Sequence, residues 1–313
     1  MTIYHNFIGI DIGKFTFVVA SHASKDTKEY TNDSAGIGAF ISDYAQPHSL
    51  YILEATGGHE INLLYTLCAQ NFAVTRANSR KVKNFIRSLG NDVKTDALDA
   101  KGLARYGFER HDRLELFDAP SQKALELFQL TQRRHDLRQM LVAEKNRAQS
   151  PQTEFIKTSC ERMIEAISKG IEEITSSINT MIASDQTYSE KKKILQTIPG
   201  IGEITANDLV SVLPELGSLN RKQIASLAGV APRANESGKF VGYRSTGHGR
   251  TLVKPTLFMA AMAARNSKSA LKAFYEKLIA KGKKKMVAIV ALMRKIIVIA
   301  NAKLRDLAKV KIA

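Results

Sequence analysis

The chain has 313 residues, 44% of them hydrophobic, which is enough for two globular domains, and its 46 Lys and Arg against 30 Asp and Glu give a formal charge of +16. The excess is concentrated: from Lys239 onward 18 basic residues face two acids, Glu276 and Asp306, while the first 238 residues carry 28 of each sign, so the implied partner is a polyanion met mainly by the last quarter. Two distant cysteines, apolar runs no longer than eight residues, such as Met286–Met293, and an N-terminus without a signal-peptide pattern exclude a disulfide framework, a cysteine zinc site and a membrane span, and predict a soluble protein of a reducing, cytoplasmic compartment.

Residues 7–20 read as two buried strands joined by a tight turn at Gly13-Lys14. Leu50–Glu54 is the next strand, ended by Thr56-Gly57-Gly58, and residues 59–70 show helical spacing at Ile61, Leu64, Tyr65 and Cys68. Phe72–Arg76 reads as a short strand, Asn78 as the cap of a helix over 79–88, and Asp96–Gly107 as a further helix. Strands alternating with helices over this length predict an α/β domain with a mixed sheet. After Pro120 the texture changes. Residues 121–149 lack Gly and Pro and repeat apolar positions at Leu125, Phe128, Leu130, Leu137 and Leu141, and beyond Pro151 the pattern resumes over 154–182. Two long antiparallel helices follow, read either as a coiled-coil arm that pairs with a second subunit or as a helical linker buried on its neighbours. Residues 191–313 read as mainly helical around two irregular loops, Ile198–Gly202 and Val230–Arg250. The expected division is 1–117, 118–190 and 191–313.

Four carboxylates stand out. Asp11 lies within the apolar run Ile8-Gly-Ile-Asp-Ile-Gly13, where a carboxylate is costly unless a cation or hydrogen bonds satisfy it. Glu54 closes a second apolar strand. Asp96 and Asp99 fall on one helix face, where like charges repel unless a cation stands between them. Oxygen donors suit Mg²⁺ or Mn²⁺ rather than zinc. Each acid alone has a plainer reading: Asp96 as a helix N-cap, Asp99 as a solvated acid, Glu54 as the partner of an arginine. Together they point to two-metal phosphoryl transfer.

Ile194–Ala206 has the form of a helix-hairpin-helix. Pro199 ends one helix, Gly200 and Gly202 allow a tight turn, and N–H groups at the next helix start can hold a phosphate without reading bases. A structural helical hairpin is the alternative. Lys239, Arg244, Arg250 and Lys254, and the cluster Lys283, Lys284 and Lys285 before the apolar stretch Met286–Ala300, are candidates for phosphate contact. That tail also reads as a core helix behind a solvated basic loop.

Gly9-Ile-Asp-Ile-Gly-Lys14, Leu53-Glu-Ala-Thr-Gly-Gly58 and Lys94-Thr-Asp-Ala-Leu-Asp-Ala100 together resemble the RuvC-like DEDD domain of the insertion-sequence one-ten transposase family, which includes the Piv DNA invertases. The resemblance covers roughly 7–107 and 194–266. It implies a ribonuclease-H-type fold and a tetrad of Asp11, Glu54, Asp96 and Asp99 binding Mg²⁺ or Mn²⁺. Ser226–Arg250 resembles the family's second signature, whose serine attacks the DNA backbone and forms a phosphoserine link. The matching residue is Ser237, followed by Gly238, with Ser245 as the alternative outside the Ser-Gly step. The resemblance further implies that serine and tetrad meet across subunits of a homo-oligomer, a dimer or tetramer. It also implies that a structured noncoding bridge RNA chooses target and donor DNA, in a bacterial or archaeal cell. Competing readings are an RNA-independent Piv-type invertase, a RuvC-like nuclease without covalent intermediate, and a basic RNA- or DNA-binding protein with a decayed site. Tyr243 invites a tyrosine-recombinase reading, which leaves the tetrad unexplained.

Overall fold

The computed structural model describes residues 4–90, 95–151, 153–238 and 240–310, and the chain divides into two compact units, Met1–Pro120 and Ser121–Ala313. Lys239, a candidate phosphate contact, lies outside the described residues.

In the first unit β1 (Asn6–Ile12) turns back into β2 (Thr16–Ser21), with the Gly13 N–H donating to the Thr16 carbonyl at 2.8 Å. β3 (Thr27–Thr31) and α1 (Ser34–Tyr44) come next, in a stretch where the sequence reading placed no element. β3 is an edge strand with Tyr30 as its single buried residue, so it carries no apolar alternation to read. β4 (Ser49–Glu54), α2 (Ile61–Ala69), β5 (Ala73–Ala77), α3 (Ser79–Ser88) and α4 (Asp96–Arg110) complete the unit.

The sheet order is β3-β2-β1-β4-β5, with β1–β2 and β2–β3 antiparallel and β1–β4 and β4–β5 parallel. This mixed sheet is compatible with a RuvC-like DEDD domain. Strand residues alternate between faces. Ile8, Ile10, Ile12, Tyr51 and Leu53 pack with residues of α1 and α2 on one face, while Phe7, Leu50 and Ile52 pack with Val82, Leu103 and Tyr106 of α3 and α4 on the other. α4 lies directly on β1. A Cβ at Gly9 would stand 2.1 Å from the Ala100 carbonyl oxygen and 2.3 Å from the Ala104 nitrogen, so only glycine permits this approach. Gly107 is pressed in the same way against Ile52 and lies near Phe7. The helix therefore runs opposite to β1, and its N-terminus reaches the C-terminal ends of β1 and β4.

The second unit begins with α5 (Gln122–Ala148) and α6 (Glu154–Ala183). They are antiparallel: Lys123 reaches Ser184 and Asp185 at 3.3 Å, and Leu127 is buried with Ile178 and Ile182. α7 (Gln186–Gln196), α8 (Glu203–Val212) and α9 (Arg221–Leu227) follow. Four short strands come next, β6 (Pro232–Arg233), β7 (Glu236–Ser237), β8 (Phe240–Val241) and β9 (Ser245–Thr246). α10 (Val253–Ala264), α11 (Ala270–Ala280) and α12 (Lys285–Val310) close the chain. α12 buries Ile289, Leu292, Met293, Ile296, Ile297, Ala300 and Leu304, a helical stripe at the centre of the largest core. The base of α5 is fastened to this core by Arg134, fully buried and paired with Asp208 of α8, to which Thr256 of α10 donates at 3.4 Å. Burial pushes the Asp208 carboxyl above its ordinary value against the pull of Arg134. Along the two long helices Met140, Val142, Phe155, Ile156 and Met163 stay exposed. Among the described residues no helix is long and apolar enough to cross a membrane.

Candidate active site

The pairing of β1 with β4 runs to Ile10 opposite Leu53, so Asp11 and Glu54 stand one residue further on, at the ends of adjacent parallel strands. Both are half-buried, and the alternation turns both toward the face that α4 covers. The first turn of α4 arrives at the same edge with Asp96 exposed and Asp99 half-buried. Thr95 is the helix cap: its hydroxyl accepts the Leu98 N–H at 3.3 Å. That overturns the N-cap reading of Asp96 and leaves both aspartates as first-turn carboxylates, favoured by the positive end of the helix. The four acids thus share one face and one end of the sheet. Their convergence is one of backbone position, since among the described residues no three His, Cys, Asp or Glu side chains stand close enough together to hold a metal ion. Their donor chemistry, carboxylate oxygen throughout, is that of Mg²⁺ or Mn²⁺.

Three residues that the sequence did not single out hold this edge in place. Glu60 is fully buried; its Oε2 accepts the N–H groups of Thr56 and Gly58, each at 3.0 Å, and its Oε1 pairs with Arg76 of β5. Burial pushes the Glu60 carboxyl up, but the amide donors and Arg76 outweigh it and hold it below its ordinary value. The loop leaving Glu54 is thereby clamped from within. Asn32 donates from Nδ2 to the carbonyls of Gly13 at 3.0 Å and His59 at 3.1 Å, tying the turn after β1 to the loop after β4. Phe15 is 74% exposed at the β1–β2 turn, with the Lys14 ammonium 5.0 Å from its ring centre. No local signal marked Glu60, and its partner Arg76 is identified by the ion pair alone.

In the second unit the stretch read as an irregular loop is a β-ribbon. Pro232 pairs with Thr246 and Arg233 with Ser245; nearer the tip, Glu236 pairs with Val241 and Ser237 with Phe240. Between the two ladders Ala234 opposes Tyr243 and Arg244, a bulge bridged by the Gly242 N–H donating to the Asn235 carbonyl at 2.8 Å. No apolar alternation announced these strands because both faces are open. Ser237 is exposed beside Gly238, whose φ of +54° supplies the left-handed backbone of the turn. Ser245 sits at the ribbon's other end, opposite Arg233. Val241 and Tyr243 are exposed, and Arg244 donates to Glu236 at 2.8 Å.

The structure divides the remaining candidates. The half-buried Arg250 guanidinium is held by the Glu215 carboxylate and donates to the Val212 carbonyl at 2.6 Å, so it ties the ribbon's base to the end of α8. Gly200, at φ +90°, is pressed against α10: a Cβ there would lie 2.3 Å from the Ala260 carbonyl oxygen. Gly202 faces open space and caps α8 with no side chain accepting its first N–H groups. Lys254 borders an apolar cavity of about 660 Å³ lined by Phe258, Met259, Met286 and Met293. Lys283, Lys284 and Lys285 are exposed ahead of α12.

Two transposase family models match the chain, the first of them extending past the first unit through α5. Residues 8–154 match a transposase family model of the DEDD, IS110 type, and residues 192–276 match the transposase family IS116/IS110/IS902. The pilin gene-inverting proteins of Moraxella lacunata and Moraxella bovis are each 29% identical over 312 residues, covering 96% of this chain and 96% of theirs. An uncharacterised protein of insertion element IS110 from Streptomyces coelicolor is 31% identical over 115 residues, 36% of this chain and 28% of that protein.

Proposed function

Since the chain belongs to the IS110 family of transposases, and is by that membership an enzyme of DNA recombination, we propose that it cuts and rejoins DNA as the transposase of an insertion sequence, with Ser237 as nucleophile and Asp11, Glu54, Asp96 and Asp99 as ligands of Mg²⁺ or Mn²⁺. The observation that carries this reading is the arrival of four acids from two parallel strands and one helix start at a single end of one sheet face. The four carboxylates would hold a divalent ion, which when bound would supply positive charge to the scissile phosphate and to the oxygens on which charge develops. The Ser237 hydroxyl forms a bond to phosphorus while the bond from phosphorus to a deoxyribose oxygen breaks, and that oxygen departs with a proton. The phosphoserine ester is resolved when a hydroxyl of the new partner strand attacks phosphorus and frees Ser237. Placement beside a tight turn leaves the Ser237 hydroxyl accessible to a bulky duplex. Arg244, Lys254 and Lys283–Lys285 neutralise phosphates, and the N–H groups behind Gly202 hold one more in the manner of a helix-hairpin-helix.

These contacts address phosphates, which position DNA without reading it. The choice of target and donor accordingly falls to a structured noncoding RNA, by base pairing. The active form is a homo-oligomer, in keeping with the exposed apolar residues of α5 and α6. The direct test is denaturing electrophoresis of protein incubated with donor DNA and Mg²⁺. Wild type gives a covalent protein–DNA adduct, Ser237→Ala and Asp11→Asn give none, and Ser245→Ala retains it; an adduct in Ser237→Ala refutes the assignment.

A second reading is favoured by the coverage, end to end, of two proteins named for inverting a pilin gene. In that reading the chain inverts a DNA segment without RNA. RNA that copurifies through high salt and is required for recombination supports the first reading; recombination that survives complete ribonuclease digestion supports the second.

A further inference from the structure

We infer that α3 and the end of α4 form a second DNA-backbone contact, in the acid-bearing unit and separate from the basic last quarter of the chain. Residues 1–120 hold 13 Lys and Arg against 14 Asp and Glu, yet every charged residue from Arg76 to Arg87 is cationic. Arg76 is spent on Glu60. The other four, Arg80, Lys81, Lys83 and Arg87, are exposed, and among the described residues none has an ion-pair partner.

Their arrangement is ordered. Arg80, Lys83 and Arg87 recur at helical spacing and form one stripe of about 10 Å, at 1.5 Å per residue. The opposite side of α3 is committed to the core through Val82 and through Ile86, which packs on Gly102. Lys81 turns the other way and joins Arg110 and Arg113 on the rim of a cleft of about 390 Å³ that also contains Phe85 and Tyr106. The two rings meet edge to face at 5.2 Å, and the Arg110 guanidinium stands 5.9 Å from the Phe85 centre. Among the described residues Arg113 pairs with only the exposed Asp112, at 3.5 Å, a surface pair of little strength.

A merely solvated helix face would mix both signs, because unrelieved like charges at this spacing destabilise the helix. Cations interleaved with aromatic rings are instead the recurrent chemistry of a nucleic-acid groove. The position is also informative. The Ser79 hydroxyl, at the start of α3, donates to the carbonyl of Ala55 at 3.2 Å, the residue after Glu54. The cationic helix therefore departs from the edge where the acids gather, and a duplex lying along it is led to them.

The inference concerns binding and does not depend on Ser237 or the acids. Its test is fluorescence anisotropy of full-length protein with duplex DNA of arbitrary sequence across a salt series. In Arg80→Gln/Lys83→Gln/Arg87→Gln the log–log salt slope becomes shallower by about 2.7, at about 0.9 per phosphate contact, and affinity at low salt falls about tenfold or more. Glutamine keeps the helix propensity, and an unchanged melting temperature establishes the fold; should the triple variant fold poorly, Lys83→Gln alone shifts the slope by about 0.9. Lys25→Gln/Lys28→Gln/Arg105→Gln removes the same charge elsewhere in the unit and leaves slope and affinity close to wild type. An unchanged slope in the triple variant, an equal loss in the control, or a loss confined to structured RNA overturns the inference.

Discussion

At the residue scale, the edge of the sheet depends on side chains with no reactive role. Glu60 satisfies two loop amides inside the protein and pairs with the exposed Arg76, so Glu60→Ala strands two amide donors at once. The expected cost is about 1–3 kcal/mol, as for buried amides left without an acceptor, since the exposed Arg76 regains water, measured by urea unfolding. Glu60→Gln keeps an acceptor for the amides and costs less. The carboxyl of Glu60 is held below its ordinary value, so its contribution is fully present above the unfolded carboxylate range and is lost as pH falls through the folded value. Stability profiles at acid pH should therefore be flatter in Glu60→Gln than in wild type. Thr95→Ala removes the cap in front of Asp96 and costs about 1 kcal/mol. The reactive candidates announced themselves as acids in apolar surroundings. The residues that hold them did not, because Glu60, Arg76 and Asn32 acquire meaning only when strands distant in sequence lie side by side.

At the scale of elements, the contact between β1 and α4 decides the geometry of the acids. Gly9→Ala introduces a methyl group into backbone atoms of Ala100 and Ala104 that cannot rotate away. The helix must lift, costing about 1–3 kcal/mol as overpacking does, and Asp96 and Asp99 move off the strand ends. Divalent-ion affinity, read by calorimetry on protein stripped with chelator, should fall in Gly9→Ala even at temperatures where it is fully folded. In the second unit Arg134→Leu leaves Asp208 buried without its cation, an expected loss of about 3–5 kcal/mol, whereas Arg134→Met with Asp208→Leu recovers most of it. Elements with apolar runs or periodic apolar positions were legible before folding: the helices α2 to α6, and the strands β1, β2, β4 and β5. β3 and the ribbon β6–β9 were not, since an edge strand and a ribbon open on both faces owe their pairing to partners rather than to pattern.

At the scale of the whole molecule, charge is distributed by task. The last quarter carries the net excess, and the first unit balances overall while separating its signs into an acid-rich edge and a cationic helix. High salt should weaken DNA binding at both places and leave folding intact, since the two cores are apolar. In the proposed homo-oligomer the exposed apolar residues of α5 and α6 are the surface offered for assembly. Phe155→Gln with Met163→Gln should leave the melting temperature in place and shift sedimentation of the DNA-bound protein toward a smaller species, with recombination lost.

The amino-acid sequence alone determined which residues are candidates for the chemistry and which segments become helices or buried strands, because both are written in local neighbourhoods: a carboxylate among aliphatics, a repeat of apolar positions, a serine before a glycine. Only the tertiary structure decided that two strands run in parallel with their acids abreast, that a helix lies close enough over a glycine to bring two more, that Arg250 pairs with Glu215, and that the serine stands at the tip of a ribbon. Those outcomes rest on contacts between residues far apart in the chain, whose energies exist only once the backbone has closed around them.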